Sequence, residues 1–161
     1  MKTIPLDAVQ TVLAGIIRQN AEQSESRVDV LAAKQPFVRA YLLAVDEVIG
    51  KESRGRLLMT GTMIWDVMAA RQPDLRQVTE LELRQAHERN QQWIKEILQG
   101  ATEADQLSRI RTAWDGYNQV PLLGLVYAAL QAHQEESETP TPGNAETELM
   151  YLKTVIDCLD Q

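Results

Sequence analysis

Apolar residues recur along this chain with the period of an α-helix. The first apolar stripe runs from Leu6 to Ile17, and Pro5 stands where a first helical position accepts proline. A second stripe begins at Phe37 and reaches Ile49. No run alternates with the period of two that is typical of strands, and no Asn-Gly or Asp-Gly turn is present. The pattern therefore predicts an all-α protein.

Capping residues predict where several helices begin and end. Gly50 is expected to end the helix before it, and the next helix is expected over 56–70. Thr79 and Glu82 have the spacing of a capping box, in which each residue satisfies a backbone N–H of the other. They predict the start of a long helix that ends at Gly100.

Four more helix predictions complete the pattern. A short helix is expected after Ser26, and Thr102 with Asp105 is expected to start another. Residues 122–134 are apolar nearly all round, which favours a helix at the centre of a bundle. Asn144 is expected to cap the final helix. Six or seven helices with short loops predict a single-domain antiparallel helical bundle.

The chain has 161 residues, which fits one domain, with one clear linker near its end. We expect a bundle domain over 1–136, a flexible linker over 137–144 and a C-terminal helix over 145–160. The linker prediction rests on two prolines and a glycine within residues 139–143, because this run cannot continue a helix. The tethered helix is expected to dock on its own chain or on a neighbouring one, since exchange of a terminal element is a simple route to a dimer.

The charge, the length of the apolar runs and the cysteine content indicate which partners and which location to expect. The formal charge is −7, and residues 1–100 carry 13 basic and 13 acidic side chains, so the excess negative charge lies in the last third. An acidic surface disfavours nucleic acid as a partner. The longest apolar stretch would rise only about 16 Å as a helix, so no membrane span is expected. Cys158 is the only cysteine, so no intrachain disulfide is possible, and a cytoplasmic location is expected.

One polar residue interrupts an apolar helix face and suggests a binding site. Asn90 falls near the middle of the apolar face of its predicted helix, and His87 lies at the edge of that face. With Trp93 and Trp114 as apolar walls, these residues form a candidate ligand-binding pocket. The alternative is that Asn90 makes an interhelical hydrogen bond that fixes the packing register.

The most basic short segment is the second candidate site. Lys51, Arg54 and Arg56 lie beside two glycines, in a predicted loop that could bind a phosphate or an acidic partner. The acidic last third of this same chain is one such partner. The segment lacks the Lys-Ser/Thr pair of a phosphate-binding P-loop, so a solvated turn is the alternative.

No catalytic set and no cofactor is predicted. His87 and His133 lack the acidic or histidine neighbours that helical metal sites use, so no metal site is expected. We therefore expect a helical protein–protein interaction module, namely an adaptor, regulator or accessory factor, that binds a protein partner or itself as a homodimer. The alternative is a small helical enzyme or ligand-binding protein with its pocket near Asn90. A filled core around Asn90 favours the first hypothesis, whereas a cleft favours the second.

Overall fold

A computed structural model describes residues 1–18, 21–98, 109, 112–136 and 144–161. The described residues contain no strand and, besides a helical stretch at residues 112–114, form seven α-helices, which confirms the predicted all-α bundle. In chain order they are α1 (Leu6–Ile17), α2 (Ala21–Lys34), α3 (Pro36–Leu43), α4 (Asp46–Arg71), α5 (Glu80–Leu98), α6 (Val120–Glu136) and α7 (Asn144–Leu159). Within these ranges, each helix is too short or too polar to traverse a lipid bilayer.

The last helix, α7, forms the centre of the bundle. It packs most extensively against α5 and α4 and next against α6, all of its own chain. Its apolar side chains Leu152, Val155, Ile156 and Leu159 have no exposed surface. Burial of a large aliphatic side chain contributes about 1.5–3 kcal/mol, so α7 provides a major share of the packing that holds the fold together.

The central position predicted for residues 122–134 is therefore wrong. Among the described side chains of α6, the buried ones share one face, namely Leu122, Leu123, Val126 and Leu130. The opposite face is apolar in sequence but includes Ala128, which is exposed, as is Ala129 at the flank. Exposing single alanine methyl groups costs little, so an apolar composition did not require burial on all sides.

Polar side chains tie both ends of the chain to the segment before α6. The Asn118 Nδ2 and the Gln119 Nε2 atoms each donate a hydrogen bond of 2.8 Å to the carboxylate of Asp160. The Gln119 Oε1 accepts a hydrogen bond of 3.1 Å from the backbone N–H of Ile4. Because Gln119 is fully buried, these bonds satisfy an amide that would otherwise destabilise the core.

Helix boundaries were predicted correctly where capping chemistry is strong. The Thr79 N–H donates to Glu82 Oε2 at 2.9 Å, and the Glu82 N–H donates to Thr79 Oγ1 at 3.3 Å, so the capping box at the start of α5 is confirmed. Hydrogen bonds from Arg76 and then from Thr79 lower the pKa of Glu82 to about 2. Helix α7 begins at Asn144, one residue before the start predicted at residue 145, so Asn144 lies in the helix.

Two predicted boundaries were wrong. Helix α2 begins at Ala21, before Ser26. Gly50 does not end a helix, because the break lies at residues 44–45 and α4 continues through Gly50 and Gly55. A glycine inside a helix costs about 1 kcal/mol, which the burial of side chains along α4 outweighs. The predictions for Gly100, for Thr102 with Asp105, and for linker residues 137–143 lie outside the described residues.

A glycine in α4 lets α3 approach closely. A Cβ atom at Gly61 would collide with Cδ1 of Leu42, which is fully buried on α3. A Cβ atom at Gly55, on the same helix, would meet nothing within 4 Å. The absence of a side chain at Gly61 therefore sets the distance between α3 and α4, whereas Gly55 has no such role.

Replacing these two glycines by alanine should have different effects on stability. Both changes raise helix propensity, but only Gly61→Ala forces Leu42 from its position, and overpacking of this kind costs about 1–3 kcal/mol. Gly55→Ala should stabilise the protein by about 0.5–1 kcal/mol. The measurement is urea unfolding followed by circular dichroism. Equal unfolding midpoints for the two variants would contradict the close α3–α4 packing.

Candidate functional site

The buried amide of Asn90 is fully engaged with α7. Its Nδ2 donates to Thr154 Oγ1 at 3.0 Å and to Asp157 Oδ2 at 2.9 Å. Its Oδ1 accepts a hydrogen bond of 2.9 Å from Lys153 Nζ. Only 3% of the Asn90 surface is exposed. The amide therefore links α5 to α7. This is the interhelical hydrogen bonding that the sequence suggested as the alternative role of Asn90.

Asp157 joins the same polar cluster to the segment before α6. It accepts a hydrogen bond of 2.6 Å from the Tyr117 hydroxyl and one of 2.8 Å from Lys153 Nζ. The Lys153 ammonium also lies 4.7 Å from the centre of the Tyr117 ring and 5.4 Å from that of Trp93, within the range of cation–π attraction. Burial first, and then Asp157, raises the pKa of Tyr117, so its hydroxyl keeps the proton that it donates.

Removal of the Asn90 amide should destabilise the fold. In Asn90→Ala, the side chains of Thr154, Lys153 and Asp157 each lose one hydrogen-bond partner. An unsatisfied buried polar group costs about 1–3 kcal/mol. Gln91→Ala, a change at an exposed neighbour on the same helix, serves as the control and should shift stability by less than about 0.5 kcal/mol. Urea unfolding measures both. An Asn90→Ala protein as stable as the control would show that the amide does not hold α5 to α7.

His87 belongs to a separate group of aromatic rings. The Tyr41 hydroxyl lies 2.8 Å from His87 Nδ1. The Tyr41 ring stacks on Tyr151 with centroids 4.7 Å apart, and His87 meets the Tyr151 ring edge-on at 5.3 Å. Burial raises the pKa of Tyr41, so its hydroxyl keeps the proton, and the direction of this hydrogen bond follows the tautomer of His87.

These rings form the floor of an open groove between α3 and α5, which we call the α3–α5 groove. Its volume is about 540 Å³. Phe37, at one end, has 42% of its surface exposed. Phe37, Ala40 and Tyr41 of α3 and the adjoining Ala44 line one side, and Glu80, Leu83, Arg84 and His87 of α5 line the other. The α3 side of the groove is thus apolar and aromatic, whereas the α5 side also carries charged and polar side chains.

His87 should titrate below the ordinary histidine range. Burial lowers its pKa below 6.5, although the nearby Glu88 opposes the shift. The unfolded chain therefore binds this proton more readily, so the stability due to neutral His87 is complete above about pH 6.5 and is lost as the pH falls through the folded pKa. NMR titration of the ring protons measures that pKa. The His87→Gln protein is the control, and its stability should not show the part of the pH dependence that His87 causes. A titration midpoint of the His87 ring at or above pH 6.5 would contradict the burial of the ring.

The four residues of the predicted pocket do not share one cavity. His87 lines the α3–α5 groove, while Asn90 lies in the polar cluster with α7. Trp93 lines a second cavity of about 370 Å³ beside Ile97. The Trp114 ring packs edge-on against Tyr127 at 5.8 Å. Within the described residues, the structure brings only His87 of the four into the α3–α5 groove.

The basic segment is helical, so the prediction of a loop there was wrong. Glycines cradle a phosphate only where the backbone leaves the helical conformation, and residues 50–56 lie within α4. Arg56 donates two hydrogen bonds to Glu148, from Nε at 3.1 Å and from Nη2 at 2.5 Å. Glu148 is 1% exposed and belongs to the acidic last third of the chain. Arg54 also has a partner, and the Lys51 side chain lies outside the described residues.

The sequence offered a signal for the α3–α5 groove that was not used. Phe37, Ala40, Tyr41 and Ala44 follow the i, i+3, i+4, i+7 spacing of one helix face. In the structure, Phe37, Ala40 and Ala44 are exposed. Tyr151 was not linked to this face, because its contact with Tyr41 crosses more than a hundred residues of chain.

The described part of the chain brings no three histidine, cysteine, aspartate or glutamate side chains together as a metal site. Cys158 is buried, and burial with Asp157 next raises the pKa of its thiol to about 12, which suppresses the nucleophilic thiolate. Comparisons with protein-family models, with curated protein sequences and with solved structures find no match for this chain.

Proposed function

We propose that this protein is a helical protein–protein interaction module and that the α3–α5 groove is its binding face. The observation that carries the proposal is an apolar helix face that the rest of the described chain leaves uncovered. On α3, Phe37 is 42% exposed, and Ala40 and Ala44 are exposed beside it. A partner that covers these side chains removes apolar surface from water, which favours association.

The shape and chemistry of the groove fit a helix as its occupant. Two neighbouring helices leave a furrow into which the side-chain ridge of a third helix packs. Helix α3 has 8 residues and is therefore about 12 Å long, enough to contact about two turns of a partner. Aromatic side chains such as Phe37 and Tyr41 are the residue types that contribute most at interface centres. The occupant is thus a helix with an apolar face.

A small ligand is the second candidate occupant. The groove volume of about 540 Å³ lies within the range of about 300–1,000 Å³ that small-molecule sites occupy. His87, whose ring lines the groove, would supply a polar group to such a ligand. This second function is a helical ligand-binding protein or enzyme whose site contains His87 but not Asn90. The cytoplasmic location stays part of the proposal on sequence grounds.

Photo-crosslinking from the groove tests the proposed function. Benzoylphenylalanine replaces Phe37 in the cells that make the protein, and the crosslinked peptides are mapped by mass spectrometry. We expect adducts that map to an apolar helix face of one protein. A second change, Ala40→Glu, places a charge on the apolar stripe and should abolish these adducts, because burying an unpaired carboxylate is strongly unfavourable.

Two controls on α6 make the result specific to the groove. Ala129 is exposed like Ala40, so benzoylphenylalanine at position 129 reports random encounters, and Ala129→Glu reports the effect of an added charge elsewhere. Adducts at position 37 no more abundant than those at position 129 would contradict the proposed function. Tight binding of a small molecule that native mass spectrometry detects, and that Ala40→Glu removes, would favour the second candidate.

A further inference from the structure

We infer that the partner that covers the α3–α5 groove is a second copy of this chain, bound face to face about a two-fold axis that crosses α3 and α5. This inference rests on the proposed function, since it names the partner of that groove. In such an interface, each residue of one copy meets a counterpart on the other, and the helices of the two copies run in opposite directions. A face used in this way must be complementary to itself in both size and charge.

The outer face of α3 is complementary to itself in size. An antiparallel pairing centred between Ala40 and Tyr41 places Phe37 opposite Ala44 of the second copy. The same pairing places Ala40 opposite position 41 of the second copy, where the Tyr41 ring lies against Tyr151 in the floor of the groove. The exposed Phe37 ring of each copy thus faces the Ala44 methyl group of the other, which is the arrangement that lets opposed side chains interdigitate without voids. A helix face of four large residues would not pack on itself in this register.

The charges at the edge of the groove are also complementary to themselves. Glu80 and Arg84 lie one turn apart on α5, both line the groove, and both are exposed. Neither makes an ion pair with another described residue. A two-fold axis reverses the order of this pair on the second copy, so Glu80 of each copy meets Arg84 of the other. The edge carries no net charge, and at about 0.15 M salt the charges farther than about 8 Å are largely screened, so the overall −7 does not prevent contact.

The pairing of residues 37 and 44 can be tested without disturbing the fold. Both positions are exposed, and Ala44 has the right-handed helical backbone angles φ −71° and ψ −4°, which any side chain adopts. Phe37→Ala would leave two methyl groups facing each other across the interface. Ala44→Phe would bring two phenyl rings into the space of one. A mixture of these two single variants restores a ring against a methyl group at both contacts.

Sedimentation equilibrium of the full chain provides the measurement. The unchanged protein should show a concentration-dependent shift from 18.1 kDa to twice that mass. Each single variant should raise the dimer dissociation constant by about tenfold or more, because an aromatic residue of the interface is lost or displaced. An equimolar mixture of Phe37→Ala and Ala44→Phe should recover dimers, now composed of one chain of each kind. Ala129→Phe, on the exposed face of α6, is the matched control and should dimerise like the unchanged protein.

Three results would overturn the inference. They are an unchanged protein that stays at the monomer mass, single variants that dimerise like the control, and a mixture that does not recover dimers. The proposed function can be correct even if this inference is wrong. A monomeric protein whose position-37 adducts map to another protein's helix retains the groove as an interaction site and loses only the second copy as its occupant. Circular dichroism of each variant confirms that the helical content is unchanged.

Discussion

Burial of α7 is the constraint on which the rest of this structure depends. Helices α4, α5 and α6 all pack against it, and Leu152 and Ile156 on its surface are completely enclosed. Apolar burial is not directional, so it does not by itself determine the rotation of a helix. In this bundle, polar contacts determine how the helices are rotated against one another. Asn90 holds α5 to α7 at one place, and Arg56 holds α4 to Glu148 at another. The polar groups in both contacts have hydrogen-bond or ion-pair partners. A buried charge or amide without such partners would destabilise the bundle.

The same helix completes the candidate binding face. The floor of the α3–α5 groove includes Tyr151 of α7, which stacks on Tyr41 of α3. The position of α3 depends in turn on Gly61, which allows it to lie close to α4. The groove therefore exists only when the last helix of the chain has docked on helices formed far earlier in the sequence. Stability of the core and availability of the binding face are consequently linked through α7.

The sequence predicted part of this picture for reasons that can be identified. The helical period and the Thr79–Glu82 capping box depend on residues within a few positions of one another, so one sequence contains the whole signal. Asn90 was recognised as unusual because a polar residue on an apolar face is also a local feature. Its partners Thr154 and Asp157 were not predicted, because they lie more than sixty residues away in the chain.

The sequence by itself determined the all-α class, the period of each helix and the strongest caps, because backbone hydrogen bonds in helices join near neighbours. Only the tertiary structure decided that α7 rather than α6 lies at the centre, and that Gly50 lies inside a helix. It also decided that Phe37, Ala40 and Ala44 stay exposed while the ring of Tyr41 is covered by Tyr151. These outcomes depend on which surfaces face each other, and packing energy summed over many distant contacts outweighs a local preference of about 1 kcal/mol.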